Sequence, residues 1–271
     1  MPGSRERLIH VLTRIQRNGE RSLFFVSPRP GSGSPAGAAE GIASEDVRGR
    51  AAGDPRSGPG AVPGSAAERH VQTSWTEMEE RVRTCTRCRL CQTRTNAVFG
   101  SGTRRTRLFI LGEGPGAQED LRGEAFVGPA GELLTKILRA IGFERDQVFI
   151  TNVVKCRPPA NRAPLPDEVA ACASYLDAQL DLVRPAAILS LGASATRRLL
   201  DTTLPIGRLR GRVHLYREIP VVPTYHPAAL LRSPEYKRPT WEDVQLLRRV
   251  YDERLEAAPA SAGTRASGSH P

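Results

Sequence analysis

Short apolar runs alternate with helical patterns along the middle of this 271-residue chain. The predicted strands are 108–111, 148–152, 187–191 and 220–224, and the predicted helices are 131–141, 166–183, a segment ending at 200, and 240–255. Parallel strands need crossover connections, which helices provide. The alternation therefore predicts an α/β fold with a central four-stranded parallel sheet and helices on both faces.

The two ends of the chain differ from this middle part. Residues 5–17 carry apolar positions at helical spacing, which predicts a short amphipathic helix. Residues 28–68 are rich in Gly, Pro, Ser, Ala and charge, a composition that cannot bury enough apolar surface to fold, and the tail has a similar bias. We expect one folded domain at 75–256, between a mostly disordered extension at 1–74 and a disordered tail at 257–271.

The chain is basic, with a formal net charge of +10 and a pI near 10.0. Such a charge suits a polyanionic partner such as nucleic acid. Nearly all of it comes from arginine, a bias that a GC-rich genome also produces, so basicity alone does not decide the partner. No apolar run approaches a membrane span and no secretion signal precedes the domain, so we expect a cytoplasmic protein with no membrane contact.

Five cysteines form the most distinctive chemical pattern. Cys85-x-x-Cys88, with Cys91 three residues later, precedes the α/β segment, and Cys156 and Cys172 follow within it. Four thiolates close the coordination shell of zinc or of an iron–sulfur cluster and leave no position for substrate. The spacing favours a structural metal centre over unrelated buried thiols, but it leaves open which four cysteines are the ligands.

Other candidate residues follow the predicted strands. Because the carboxyl ends of parallel strands meet at one edge, we expect the turn at 112–116, Asn152 and His226 to face one crevice. Glycines in the turn allow close backbone approach to a ligand, but the segment lacks the Walker and dinucleotide patterns. The plainer alternatives are a tight turn, a helix cap at Asn152 and a structural His226. Phe126, in a glycine-bounded loop, is either a stacking platform or a core residue.

Together these segments resemble the family 4 uracil-DNA glycosylases, the iron–sulfur members of their superfamily. The resemblance runs from Cys85 to about Arg254. The motifs that carry it are Cys85-x-x-Cys88, Thr93-Arg94-Thr95-Asn96, Gly112-Glu113-Gly114-Pro115-Gly116 with Glu119-Asp120, Phe126-Val127-Gly128, the segment 151–159, and the segment 226–232.

The resemblance implies the following site residues. The ligands of a [4Fe-4S] cluster would be Cys85, Cys88, Cys156 and Cys172, which leaves Cys91 as an extra. The substrate-binding residues would be Gly112, Glu113, Gly114, Phe126, Asn152 and His226, and the DNA-binding residues Leu230, Leu231 and Arg232. In this scheme Phe126 stacks on uracil, Asn152 pairs with its edge and His226 stabilises the departing anion.

The implied reaction is hydrolysis of the uracil N-glycosidic bond in double- or single-stranded DNA by a monomer, which leaves an abasic site for base excision repair. Better-known glycosylases outside this family carry an Asp where this chain has Gly114. The group that activates water therefore stays open among Glu113, Glu119 and backbone carbonyls. A related branch bonds covalently to uracil through a His in the loop after the second strand, and 157–162 contains no His. The alternative function is a noncatalytic DNA-damage-binding module stabilised by an iron–sulfur cluster or zinc.

Overall fold

The computed structural model describes residues 75–257. The predicted helix at 5–17 and, apart from Ala257, the segments 1–74 and 257–271 that are predicted to be disordered lie outside the described residues. The strands are β1 (Ser101–Gly102), β2 (Leu108–Gly112), β3 (Phe149–Asn152), β4 (Ala187–Leu191), β5 (His214–Tyr216) and β6 (Ile219–Thr224). The α-helices are α1 (Trp75–Arg83), α2 (Ala117–Arg122), α3 (Pro129–Ala140), α4 (Pro166–Val183), α5 (Gly192–Leu200), α6 (Ile206–Leu209), α7 (Pro227–Arg232) and α8 (Lys237–Glu256). Short 3-10 helices cover Arg89–Gln92, Arg145–Gln147, Pro159–Asn161 and Pro234–Tyr236.

The strands of the described region form one mixed sheet in the order β1-β3-β2-β4-β6-β5. Its four central strands pair in parallel and correspond to the four predicted strands, which confirms the α/β class. The edge strands β1 and β5 pair antiparallel and were not predicted. They span only two and three residues, too short for an alternating pattern to identify.

Helices cover both faces of the sheet, and the side chains of β2 alternate between the two layers. Leu108 and Ile110 join the cluster that includes α3 and α8, while Phe109 and Leu111 join the cluster with α1, α4 and α5. All five residues of β2 are buried. Burial on both faces explains why this strand is an unbroken apolar run in the sequence.

Helix boundaries follow local signals. Helix α4 occupies the predicted range because Pro166 stands at its first turn and the Glu168 carboxylate accepts a 2.8 Å hydrogen bond from the Leu165 amide. It ends at Arg184, whose φ of 47° takes the chain out of the helix. The result is a rigid sheet whose strands β2, β3, β4 and β6 all end at one edge.

Candidate active site

A cleft of about 410 Å³ lies at the carboxyl ends of the parallel strands. Segments that follow all four of these strands contribute to its wall. Of the predicted residues, those that line the cleft are Glu113, Gly114, Glu119, Phe126, Asn152, His226 and Arg232. Positions far apart in the sequence therefore meet around one pocket, as the strand order requires.

Gly112 lies directly behind the cleft wall, where Asn152 and Phe126 approach its backbone. A Cβ atom built on Gly112 would stand 2.3 Å from Asn152 Oδ1 and 2.6 Å from two ring atoms of Phe126. Such distances are far below van der Waals contact. Glycine at this position therefore allows the amide and the aromatic ring to meet at the pocket floor.

Asn152 ends β3 and is only 1% exposed. Within residues 75–257 its side-chain oxygen Oδ1 is buried and has no hydrogen-bond partner. An unpaired buried acceptor costs about 1 to 3 kcal/mol, so it is rarely kept without a reason. A ligand donor in the cleft would satisfy this oxygen.

Phe126 is held in a strained conformation beside this amide. Its φ is 55°, a left-handed value that is unusual for an aromatic residue, and its ring centroid lies 5.6 Å from that of His226. Gly131 makes the conformation possible, because a Cβ there would lie 1.8 Å from the Phe126 carbonyl oxygen. The Phe126 ring and the His226 ring thus form adjacent walls of the cleft.

The two acidic candidates differ in their bonding. Both Glu119 carboxylate oxygens are used: Oε1 accepts from the amides of Val127 and Gly128 at 2.9 Å each, and Oε2 accepts from the Gly116 amide at 3.1 Å. Glu119 therefore ties the first turn to the loop that carries Phe126. Glu113 accepts a short hydrogen bond from the hydroxyl of Ser194 and lines the cleft.

Ser194 was not found by sequence reasoning. It lies in the first turn of α5, directly after the parallel strand β4, and its bond to Glu113 spans 81 positions. The one available signal was its place after a strand end. Pro158, Asn161 and Arg162 also line the cleft and were missed, although the loop that holds them follows β3.

His226 precedes α7 and presents a neutral imidazole. Its Nδ1 accepts a 3.2 Å hydrogen bond from the Ala228 amide, which assigns the ring proton to Nε2. Burial lowers the pKa of His226 to about 4; nearby Arg232 lowers this pKa further and Glu119 opposes the effect. At neutral pH the residue is thus an uncharged hydrogen-bond donor.

The three residues expected at DNA do not all face outward. Leu231 is 51% exposed and Arg232 is also exposed, whereas Leu230 is 2% exposed and packs inward. Successive residues of a helix point in different directions, so only part of a contiguous motif can reach one surface. The structure therefore separates Leu230, a packing residue, from its two neighbours.

A second, smaller cavity is lined by all five cysteines together with Arg94, Lys155 and Tyr175. Arg94 Nη1 donates to Cys156 Sγ at 2.9 Å, and the Lys155 amide donates to Cys172 Sγ at 3.4 Å. Burial raises the pKa of the Cys156 thiol to about 11 and also raises the pKa of Cys172. Among the described residues, no group of three or more Cys, His, Asp or Glu side chains is arranged to hold a single metal ion.

The fold and the cleft define an α/β protein with a pocket lined by a side-chain amide, an aromatic ring and a neutral imidazole. A sequence model described as the uracil DNA glycosylase superfamily matches residues 99–245. The chain belongs to this superfamily, which confirms the resemblance seen in the motifs.

Relatives with known names agree with this assignment. The type-4 uracil-DNA glycosylase of Sulfurisphaera tokodaii is 44% identical over 183 residues, which cover 64% of this chain and 83% of the relative. That of Thermotoga maritima is 46% identical over 172 residues, covering 62% and 90%. A type-5 uracil-DNA glycosylase of Pyrobaculum aerophilum is 34% identical over 147 residues, covering 48% and 64%. Within 75–257, no helix is both long and apolar enough to cross a membrane.

Proposed function

We propose that this protein excises uracil from DNA by hydrolysing the N-glycosidic bond, which leaves an abasic site for base excision repair. The observation that carries the proposal is the unpartnered Asn152 Oδ1 in a cleft between Phe126 and His226. The names of the type-4 relatives support it. Because a base inside a duplex is out of reach, the nucleotide must be extruded into this cleft.

Asn152 selects uracil by its hydrogen-bonding edge. The free Oδ1 accepts from uracil N3–H, and the side-chain amide donates to uracil O4. Cytosine presents the opposite pattern at these two positions and would leave buried groups unpaired, at a cost of about 1 to 3 kcal/mol. The ring of Phe126 supplies a flat surface for the base.

His226 stabilises the charge that develops on the base. As the glycosidic bond breaks, uracil leaves as an anion and the sugar becomes cationic in character. The Nε2–H of the neutral imidazole donates to the uracil carbonyl that gains charge, and a preorganised donor of this type contributes on the order of 3 kcal/mol. The ring needs no proton uptake to act, because it works as a donor and not as an acid.

Of the two acids, we assign the orientation of the attacking water to Glu113. Ser194 holds one of its oxygens, which leaves the other oxygen to accept from water. Glu119, whose oxygens already accept three backbone hydrogen bonds, is assigned to positioning the Phe126 loop. Leu231 and Arg232 are both exposed, and Arg232 also lines the cleft; we assign them to the duplex next to the extruded nucleotide.

We propose that the cysteine cavity holds a [4Fe-4S] cluster. Such a cluster is bound by four Cys thiolates, and all five thiols of the described chain line this one cavity. We assign Cys85, Cys88, Cys156 and Cys172 as ligands. When bound, the cluster joins the segment before β1 to the end of β3 and to α4, and its anionic charge suits the Arg94 guanidinium.

The test is an assay on an oligonucleotide with one uracil, treated with alkali to cleave abasic sites. We expect cleavage by the wild type and about a hundredfold or greater loss in Asn152→Ala, since both edge contacts disappear. A thymine oligonucleotide is the control substrate. A wild type that binds the uracil strand but creates no alkali-labile site would favour the noncatalytic DNA-binding module. Monomeric state and cytoplasmic location stay predictions.

A further inference from the structure

A buried acid lies behind the strand that leads to His226. Asp243 of α8 is 0% exposed, and each of its carboxylate oxygens accepts two hydrogen bonds. Its Oδ1 accepts from Arg210 Nη2 at 2.8 Å and from the Gly211 amide at 2.9 Å. Its Oδ2 accepts from Arg210 Nε at 2.9 Å and from Thr224 Oγ1 at 2.7 Å. We call Arg210, Thr224 and Asp243 the Asp243 clasp.

The bond to Thr224 connects the clasp to the active site. Thr224 is the last residue of β6, pairs with Leu191 at the end of the ladder, and stands two positions before His226. Beyond Thr224 the chain leaves the sheet, so ladder hydrogen bonds no longer fix its direction. The Thr224 hydroxyl therefore anchors the point at which the His226 segment departs.

Tyr225, which lies between Thr224 and His226, also contacts the Asp243 clasp. The Arg210 guanidinium lies 5.8 Å from the ring centroid of Tyr225, and Tyr225 stacks on Tyr236 with centroids 4.2 Å apart. Arg210 Nη2 also donates to the Pro239 carbonyl at 2.5 Å, which joins the clasp to the start of α8. Thr224 and Tyr225 are thus fixed from one side by a single ion pair.

We propose that Asp243, through Thr224 and Arg210, is a positioning residue that sets the direction of the His226 imidazole in the cleft. The inference rests on the proposed function, in which His226 donates to the leaving base. A small error in the exit angle of β6 moves Nε2 away from the carbonyl it must reach, and misplacement of about 1 Å can cost a hundredfold in rate.

A purely structural role predicts a different outcome. A buried ion pair contributes little net stability relative to apolar residues of similar size. Stability alone therefore does not explain why the Asp243 clasp includes Thr224 at the end of β6. Loss of the Thr224 hydroxyl removes one hydrogen bond and no packing volume. If the clasp only stabilises the fold, this loss resembles the loss of any other buried threonine hydroxyl.

The main experiment uses Thr224→Val, with Thr106→Val as the matched control. Thr106 is 6% exposed and accepts a 3.0 Å hydrogen bond from the Leu108 amide, at the opposite end of a parallel strand. We expect Thr224→Val to lower kcat for uracil excision about tenfold with KM within about twofold, since alignment of His226 is lost and not DNA binding. Thr224→Ser, which keeps the hydroxyl, restores kcat, and Thr106→Val leaves it unchanged. Equal kcat in the two valine variants would overturn the proposal.

A second measurement does not depend on activity. The imidazole 15N resonances of His226, assigned by their loss in His226→Gln, report the ring environment directly. We expect them to shift in Thr224→Val and in Asp243→Asn, and to stay in place in Thr106→Val and in Asp177→Asn. Asp177 is the control acid, because it accepts from Arg198 and from Tyr216, and Tyr216 pairs with Ile219 at the opposite end of β6 from Thr224. Unmoved resonances in a folded Thr224→Val would refute the positioning role, whereas an inactive wild type with the expected shifts would refute only the proposed function.

Discussion

The cleft and the cysteine cavity both lie beside β3, but they differ in whether their polar groups have hydrogen-bond partners within the protein. In the cleft, Asn152 Oδ1 lacks a partner within the described chain and His226 presents an uncharged donor. In the cavity, Arg94 donates to Cys156 and the Lys155 amide to Cys172. A site that exchanges ligands keeps hydrogen-bonding capacity free, while a site that holds a permanent group surrounds it with partners.

Lys155 connects the two regions. It is 1% exposed, and its Nζ donates to the Asn152 carbonyl at 2.8 Å, to Thr151 Oγ1 at 2.6 Å and to Gln179 Oε1 at 2.6 Å. Its side chain therefore fixes the end of β3 while its own backbone faces Cys172. Damage to the cavity is expected to reach the cleft by this route.

The largest effect is expected in the cavity. Cys156→Ser removes one of the proposed cluster ligands, and because metal-binding energy is part of the folding energy, we expect loss of iron and a stability loss on the order of 5 kcal/mol. That corresponds to a fall in Tm of about 15 °C. Iron analysis, absorbance near 400 nm and thermal unfolding measure it.

Cys91→Ser is the control for this change, because Cys91 lines the same cavity but is not assigned as a ligand. It should keep both iron and Tm. If Cys91→Ser loses iron and one of the assigned ligand variants does not, the ligand assignment is wrong.

The next effect concerns the cleft. Gly112→Ala places a methyl group against Asn152 Oδ1 and the Phe126 ring, so we expect uracil excision to fall about a hundredfold while iron is retained. The steady-state rate and the iron content are measured on the same sample. Gly142→Ala is the control for general strain, since its φ of 80° disfavours any side chain, while the nearest atom to the added methyl group is the tip of Arg248 at 3.4 Å. Equal activity losses in the two variants would mean that general strain, and not the pocket floor, is responsible.

The smallest effect is the pH dependence of stability. The pKa of His226 falls to about 4 in the folded protein from the ordinary 6.5, so the folded state binds this proton less readily than the unfolded chain. The contribution of the neutral His226 ring to the free energy of unfolding is complete above about pH 6.5 and is lost as the pH falls toward about 4. Denaturant unfolding should show a loss on the order of 1 to 2 kcal/mol from this residue between about pH 7.5 and 5.

His226→Gln should reduce the change of the free energy of unfolding with pH, which we call the pH slope. Burial also lowers the pKa of His214, which therefore adds to the slope in the same direction, and His214→Gln separates the two contributions. A slope that survives in His226→Gln and disappears in His214→Gln would show that the His226 ring is not protected from protonation in the folded cleft.

Local patterns predicted the parts of the fold that depend on neighbours in sequence. The four central strands and the bounds of α4 follow from apolar runs and from Pro166 and Glu168. The helix α6, only four residues long, and strand β5 carry too few positions to show a period.

The pocket was predicted where residues sit at strand ends or match family motifs, as Asn152 and His226 do. Ser194, Thr224 and Asp243 matter through contacts across 81 and 19 positions, and a single sequence contains no signal for such pairings. The direction of Leu230 was equally hidden, since it depends on how α7 docks against the body of the protein.

The short outer strands of the sheet have a consequence for how molecules of this protein meet. Within residues 75–257, each outermost strand has only two or three residues of backbone on its outer side, and the other four strands lie between them. Edge strands this short offer too few backbone hydrogen-bonding groups for a strand of another chain to pair with them. Crowding of many copies along damaged DNA is therefore not expected to link them edge to edge.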